Sequence, residues 1–379
     1  MNPEHTIPLF KVFMSNQAKA NVQDVLNSGY IGQGPYVEKF EDLFGNYVKS
    51  DKPIISLNSA TSGLQLACYM IGLREGDEVI TTPITCTATQ TGIVSSKATI
   101  VWGDVDPRTG LLDVDDVRAK MTKHTKAIIA TNWGGRKPNY IELKKLGVPV
   151  IEDAAHGPYE VTENSGDYIV WSTQAIKFLT TGDGGMLYCP DPERARLLRW
   201  YGLDRRSSKD FRCAQDIQEA GFKYHMNDIA AAIGCGNITY LKSLVNAHKR
   251  HAYAYEGLLT VDRPPYDPEC PYWIYTIFCK NPTLLSEQLK NFGIDSSPVH
   301  ARNDKHTAFR RIAKQQHNST RYFSLDSNPP IYKSGVTQYD STQLNIPVGW
   351  WLDRDDLGIV DDLAYIADVV NVLVKRMNS

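Results

Sequence analysis

Short apolar runs alternate with helix-spaced segments through the first half of the chain. Ile54 to Leu57 is an apolar run, followed by a polar turn and a helical stretch from Ser62 to Ile71. Glu78 to Thr81, Thr99 to Trp102, Lys126 to Thr131 and Val148 to Glu152 read as further strands. Between them, Thr85 to Ser95, Asp113 to Met121 and Tyr140 to Leu146 carry helical spacing. Brief, continuously apolar strands separated by helices predict a mostly parallel sheet covered on both faces, hence an α/β fold. Ligands of such sheets bind beyond the carboxyl ends of the strands, so residues that follow each strand deserve inspection first.

The second half changes character. Asn227 to Leu259 is helical over a length that can cross between domains, and Asp262 to Pro271 is rich in proline and acidic residues. An aromatic strand from Tyr272 to Cys279, a helix from Thr283 to Phe292 and a final helix from about Ile359 to Met377 follow. This predicts a large domain over 1–248, with an N-terminal arm packing elsewhere, and a smaller α+β domain over 249–379. No repeat or low-complexity tract interrupts the pattern.

Composition narrows the classes. The 379 residues are 42% hydrophobic and 22% charged, with a formal net charge of −2, values that suit a soluble globular protein with a substantial core. Basic residues do not form a stripe, which argues against nucleic acid as a partner. The cluster Arg205, Arg206, Lys209 and Arg212 is broken by Asp210 and reads as a solvated loop. The opening Met-Asn-Pro-Glu-His lacks a basic region leading into an apolar run, so no signal peptide is expected, and no stretch has the length to span a bilayer. Seven scattered cysteines without a CxxC pair suggest neither a disulfide framework nor a metal site. The expectation is a cytoplasmic protein without membrane or metal.

Candidate chemistry lies at four strand ends or turns. Asn58-Ser59-Ala60-Thr61-Ser62-Gly63 joins a strand to a helix, where backbone N–H groups and the Thr61 hydroxyl suit a phosphate; an ordinary helix cap looks the same. Val150 to Gly157 is a buried strand ending in Asp153, with His156 three residues on. A carboxylate there suits a protonated ring nitrogen, while metal ligation and helix capping stay open. Lys177 lies among apolar neighbours ahead of the glycine-rich Gly182-Asp183-Gly184-Gly185 and the strand Met186 to Cys189, with Ser172 five residues earlier. A shielded amine has a depressed pKa and attacks an aldehyde; a snorkelling lysine is the commoner explanation for an isolated residue. Ala220 to Asp228 reads as a loop entering a helix, capped by Asn227 or Asp228.

Each feature alone is ambiguous, and their order and spacing are not. Together with Ser28-Gly29-Tyr30-Ile31-Gly32-Gln33-Gly34-Pro35, Phe40-Glu41, Asn132-Trp133-Gly134-Gly135, Arg199-Trp200-Tyr201-Gly202-Leu203-Asp204-Arg205, Ser297-Pro298-Val299-His300-Ala301-Arg302-Asn303-Asp304 and Leu344-Asn345-Ile346-Pro347-Val348-Gly349, they resemble the sugar aminotransferases of the DegT/DnrJ/EryC1/StrS family. The resemblance runs nearly end to end. It implies an aspartate-aminotransferase-like large domain (PLP fold type I) with a mostly parallel seven-stranded sheet, and pyridoxal 5'-phosphate (PLP) as cofactor. Pyridoxamine phosphate is then the form that carries the amino group between half-reactions.

The resemblance also implies roles. Lys177 matches the Schiff-base lysine that shuttles protons, Asp153 the partner of the pyridine nitrogen, and His156 the residue beside the phenolic oxygen. Ala60, Thr61 and Ser172 match the phosphate site. Lys223 matches a position that reaches the phosphate of the neighbouring subunit, implying a homodimer with shared active sites. Cys86 stands where an aromatic ring usually stacks on the cofactor, and His225 replaces a common arginine. The implied reaction moves an amino group from glutamate to a nucleotide-linked keto-deoxysugar, a 4-keto-6-deoxyhexose ahead of a 3-keto sugar. A related branch that removes a sugar hydroxyl carries histidine at the lysine position, so Lys177 argues against a PLP-dependent dehydratase. A PLP-binding regulatory protein without turnover is a further alternative, disfavoured because no DNA-binding motif is visible. A nicotinamide enzyme is weaker still, since no GxGxxG follows the first strand.

Overall fold

The computed structural model describes residues 6–206, 214–309, 335–353 and 362–378. Lys209, Arg212, Cys213 and the expected first turn of the last helix at 359–361 lie outside the described residues. Two helices, α1 (Asn16–Ser28) and α2 (Pro35–Tyr47), precede the first strand. Then come β1 (Ile55–Leu57), α3 (Ala60–Ile71), β2 (Glu78–Thr81), α4 (Ala88–Ser95), β3 (Thr99–Trp102), α5 (Val114–Lys120), β4 (Thr125–Thr131), α6 (Tyr140–Lys144) and β5 (Val150–Asp153). The large sheet is completed by β6 (Tyr168–Ser172) and β7 (Gly185–Tyr188), followed by α7 (Pro192–Leu198). Strand order is β1-β7-β6-β5-β4-β2-β3, with β7 antiparallel to both its neighbours and the remaining pairs parallel. The expected α/β architecture with a mostly parallel seven-stranded sheet is what the chain forms.

The apolar runs form strands because both faces are covered. Val170 and Leu187 pack with Leu64 and Ala67 of α3, whereas the alternate residues Ile169, Trp171 and Met186 pack with Phe40 and Phe44 of α2. Successive side chains of a strand point to opposite faces, so each face needs its own apolar set. Local caps set the helix ends. Asp113 accepts from the N–H groups of Asp115 and Asp116 to start α5, and Gly72 in the left-handed region (φ 78°) ends α3.

Some boundaries differ from the sequence pattern. The helix expected from Thr85 starts at Ala88, because the Thr85 hydroxyl is drawn into a side-chain chain with Thr89 and Thr131. The long helical stretch from Asn227 divides into α8 (Asp228–Asn237), a 3-10 turn at Ile238–Tyr240 and α9 (Leu241–Leu258). At that break the Asn237 amide accepts from Ser15 N–H and donates to Thr180 O, bonds that sequence periodicity does not encode.

The C-terminal part pairs β8 (Tyr275–Phe278) antiparallel with β9 (Gln343–Ile346), flanked by α10 (Pro282–Asn291), α11 (Gly335–Thr342) and α12 (Asp362–Asn378). Ile277, Leu285, Leu289, Leu344, Ile366 and Val370 form its buried core, which α9 joins through Ala252 and Tyr255. Ile7 belongs to this core as well, bridging Ile294 in parallel, with its N–H donating to Gly293 O at 2.7 Å. No helix among the described residues is long and apolar enough to cross a membrane.

Candidate active site

Sheet register assembles the site. Thr131 of β4 pairs with Asp153 of β5, and Asp153 pairs with Val170 of β6. Gly185 of β7 pairs with Ser172 on one side and Leu57 on the other. The ends of β1, β5 and β6 thus open on one edge, as the crevice rule for such sheets requires.

Asp153 is 3% exposed. Its Oδ2 accepts from Thr89 Oγ1 at 2.7 Å and its Oδ1 from Ala155 N–H at 3.2 Å. Thr89 in turn meets Thr85 at 2.7 Å, and Thr131 donates to Thr85 at 3.1 Å. Burial raises the Asp153 pKa, while the Thr89 and Ala155 bonds and the nearby Lys177 charge pull it down. Among the described residues, no guanidinium or ammonium bonds this carboxylate directly. A buried carboxylate held by neutral donors and not locked in an ion pair is suited to a protonated ring nitrogen.

Lys177 sits in the turn between β6 and β7, where its N–H donates to Gln174 O at 2.9 Å. Burial lowers its pKa to about 8, with the charges of Asp153 and Cys86 opposing. Its ammonium lies 3.6 Å from the centroid of the Trp273 indole. His156 is buried, and its Nδ1 accepts from Gly134 N–H at 3.3 Å, which puts the ring proton on Nε2. Burial, then the Lys177 and His300 charges, drive its pKa well below the ordinary value, so the ring is neutral. Gly134 and Gly135 make this donation possible, turning sharply at φ 65° and 102°.

The turn after β1 ends in the α3 N-terminus. Ser59 caps it by accepting from Ser62 N–H, while Ala60 and Thr61 occupy the first helical positions. A Cβ on Gly185 would stand 2.5 Å from Ala60 N, so only glycine lets β7 back this turn so closely. Through Gly185, Ser172 and the Ala60–Thr61 turn become neighbours. Asn303 fastens the Cys86 turn to the C-terminal part by donating to Thr85 O at 3.1 Å, Cys86 O at 3.3 Å and Gln90 Oε1 at 2.7 Å.

Lys223 lies apart from Lys177 in its interactions. Its backbone carbonyl accepts from the Asn58 side chain at 3.3 Å, and its ammonium lies over Trp200, 3.6 Å from the centroid. Arg205 covers the same indole at 4.2 Å. His225, beside it, has its pKa pressed to about 3 by burial and then by the charges of Lys223, Arg205 and Arg199. Asn227 caps α8 by accepting from Ala230 N–H at 2.9 Å, so the loop-into-helix expectation holds here.

Several residues around the lysine carried no individual signal in the sequence. Trp273 stood only within an aromatic strand, His300 within the Ser297–Asp304 segment, and Thr85, Thr89 and Thr131 among many hydroxyls. Burial and the Lys177 charge lower the His300 pKa to about 4. The aromatic and histidine content of these segments was visible, but convergence on Lys177 follows from the fold.

The donor set fits PLP. Asp153 faces the need of the ring nitrogen, the Ala60–Thr61 turn and Ser172 offer N–H and hydroxyl donors to a phosphate, and Lys177 offers an amine. The profile of the DegT/DnrJ/EryC1/StrS aminotransferase family matches residues 13–338. The dTDP-4-dehydro-2,3,6-trideoxy-D-glucose 4-aminotransferase of Saccharopolyspora spinosa is 32% identical over 275 residues, 67% of this chain and 71% of that protein. Among solved structures, AtS13 from Actinomadura melliaura superposes with a TM-score of 0.84 at 31% identity, covering 98% of this chain and 100% of its own. The sugar aminotransferase CalS13 from Micromonospora echinospora gives 0.82 at 29% identity, over 97% and 99% of the two chains. With a family match across most of its length and a site that suits the cofactor, the chain belongs to the DegT/DnrJ/EryC1/StrS aminotransferase family of PLP-dependent enzymes.

Proposed function

We propose that this aminotransferase moves an amino group from glutamate to a nucleotide-linked keto-deoxysugar, a 4-keto-6-deoxyhexose in preference to a 3-keto sugar, with Lys177 as its catalytic lysine. The observation that carries the reading is the enclosed Lys177 amine, whose charge acts on a buried Asp153 that makes no ion pair among the described residues. The 4-aminotransferase named among the relatives supports the position of amination. Bound PLP supplies the electron sink that makes amino transfer possible. Lys177 Nζ holds the cofactor at rest and, once free, takes and returns the proton at the reacting carbon. Asp153 keeps the ring nitrogen protonated, and neutral His156 donates from Nε2 toward the phenolic oxygen. Ala60 and Thr61 N–H groups with the Thr61 and Ser172 hydroxyls bind the phosphate, and Cys86 lines the ring face. Lys223 serves the phosphate of a second copy, so the active unit is a homodimer. Within each chain the large domain covers 1–248 and the smaller one 249–379.

The first test is the visible spectrum of the protein with PLP, titrated with glutamate, followed by a panel of 4-keto and 3-keto nucleotide sugars with product analysis. A spectrum that glutamate converts, and a 4-amino sugar as product, are the expected results. Loss of a hydroxyl without amination rejects the aminotransferase reaction. Lys177→Ala is expected to lower turnover by at least the ~10²–10⁴-fold typical of a lost acid–base group. Mixing Lys177→Ala with Lys223→Ala chains tests the shared site, since a mixed dimer holds one intact centre. Recovery of activity on mixing is expected, and no recovery removes Lys223 from the partner's site.

A further inference from the structure

Trp273 comes from the start of the C-terminal part, far in sequence from Lys177, yet it is fixed against it at two points. Its backbone N–H donates to Gly134 O at 3.0 Å. Its indole Nε1–H donates to the carbonyl of Ile176, the residue before the lysine, also at 3.0 Å. Other rings lie near-parallel to it: Phe10 with centroids 4.8 Å apart at 23°, and His156 at 4.0 Å and 24°. His300 is near-parallel to His156 at 6.2 Å and 13°. The indole is 2% exposed. It therefore has one place to be, and the Lys177 ammonium lies against it, 3.6 Å from the centroid.

Among the described residues, the charged or titratable groups acting on Lys177 are Asp153 at the end of β5, Cys86 ahead of α4, and the histidines His156 and His300, while Lys11 and His248 line the same pocket as Lys177 and Trp273. No carboxylate forms an ion pair with the amine within 4.0 Å among the described residues. The histidines are held neutral and give the ammonium no stabilisation. The electron-rich face of an indole does, more strongly than any other side-chain ring.

We propose that Trp273 is a positioning residue for Lys177, its indole face holding the ε-ammonium at a fixed resting place whenever the amine is not covalently engaged. The inference rests on the reading of Lys177 as the catalytic lysine. That lysine must accept a proton at Nζ and keep it within reach of the reacting carbon until it is returned. Enclosure disfavours the charged amine, and the indole face offsets that without an ion pair, which would hold the ammonium too firmly to release. The Nε1–H bond to Ile176 ties the ring to the same turn that carries Lys177, so face and amine move together. Nothing in this role needs Trp273 to touch the sugar.

The test is the pH dependence of Lys177 reductive methylation in the cofactor-free, full-length protein, read by mass spectrometry of the Lys177 peptide. Trp273→Leu removes the ring face and Trp273→Phe keeps a smaller one. The Leu variant is expected to shift the titration midpoint down by about one unit, and the Phe variant by clearly less. In the holoenzyme the Leu variant is expected to lose kcat by roughly tenfold with little change in the KM for glutamate, and Phe to restore part of it. An unchanged midpoint in a Leu variant that melts like the wild type overturns the proposal. If the Leu variant fails to fold, a Phe midpoint equal to or above that of the wild type overturns it instead. Full turnover by Lys177→Ala would instead reject the reading of the lysine itself, so the two failures are distinguishable.

Discussion

At the scale of single residues, the site is built around one buried carboxylate whose charge must be kept. Burial works against the Asp153 anion, and the Thr89 hydroxyl at 2.7 Å works for it. Thr89→Val preserves shape and deletes the donor, leaving Oδ2 without its bond. The expected cost is about 1–3 kcal/mol of the anion's stabilisation. Because Thr89 lowers the Asp153 pKa, its loss moves that pKa further up, so the acid limb of the kcat profile should shift to higher pH. Cofactor retention by equilibrium dialysis should weaken most at the acid end. An unaltered acid limb would show that Thr89 does not support the carboxylate. Asp153 and Lys177 stood out in the sequence as candidates because each sits in a distinctive local string, and the family resemblance gave their proposed roles. The hydroxyl chain from Thr131 through Thr85 to Thr89 was not, since threonines are common and only strand pairing brings these three together.

At the scale of elements, close backbone approach decides the shape of the turn proposed to bind phosphate. β7 runs beside β1 with Gly185 opposite Leu57, and the missing Cβ leaves room for Ala60 N. Gly185→Ala would push a methyl to 2.5 Å from that nitrogen, against backbone that cannot swing aside. The expected result is a displaced α3 N-terminus, with PLP affinity lowered at least about tenfold, corresponding to about 1.4 kcal/mol. Fluorescence titration with PLP measures it, and wild-type affinity would mean that the turn adapts. Elsewhere Asp228, at the start of α8, serves a different helix. Its carboxylate accepts from the N–H groups of Gly34, Tyr36 and Val37 and so caps α2, whose own N-cap glycine has no side chain to do so. Pro35 suits the first helical position of α2, but the cap of that helix lies 194 positions away.

At the scale of the whole molecule, buried neutral histidines make the fold sensitive to acid. His248 is 4% exposed, and its pKa is pressed to about 4, burial being the main cause. In the unfolded chain it takes up a proton near the ordinary value of 6.5, and in the folded chain only near 4. Protons therefore favour unfolding through that window, and stability present above pH 6.5 declines as pH falls to about 4. At about 1.4 kcal/mol per unit the loss from His248 reaches roughly 3 kcal/mol. His156, shifted in the same direction, adds to it, and Asp153 with its raised pKa opposes it slightly. Glu41, its pKa lowered by Arg199 and Arg196 against the effect of burial, extends the loss below the ordinary carboxylate range. Urea midpoints measured from pH 7 to pH 4 should fall steadily, and His248→Asn should flatten the decline. A flat profile in the wild-type protein would contradict this account.

The sequence by itself determined the strand-turn-helix modules, the mostly parallel sheet, the candidate lysine and carboxylate, and the family pattern. These depend on apolar periodicity, local caps and short motifs, all properties of neighbouring residues. It did not separate α8 from α9, because the Asn237 bonds to Ser15 and Thr180 join distant segments. Only the tertiary structure placed Ile7 in the C-terminal core, Gly185 behind Ala60, and Trp273 and His300 around Lys177. Those placements follow from strand order and from how the C-terminal part meets the sheet, where residues far apart in sequence come within a few ångströms. A pattern of short range carries no trace of such meetings.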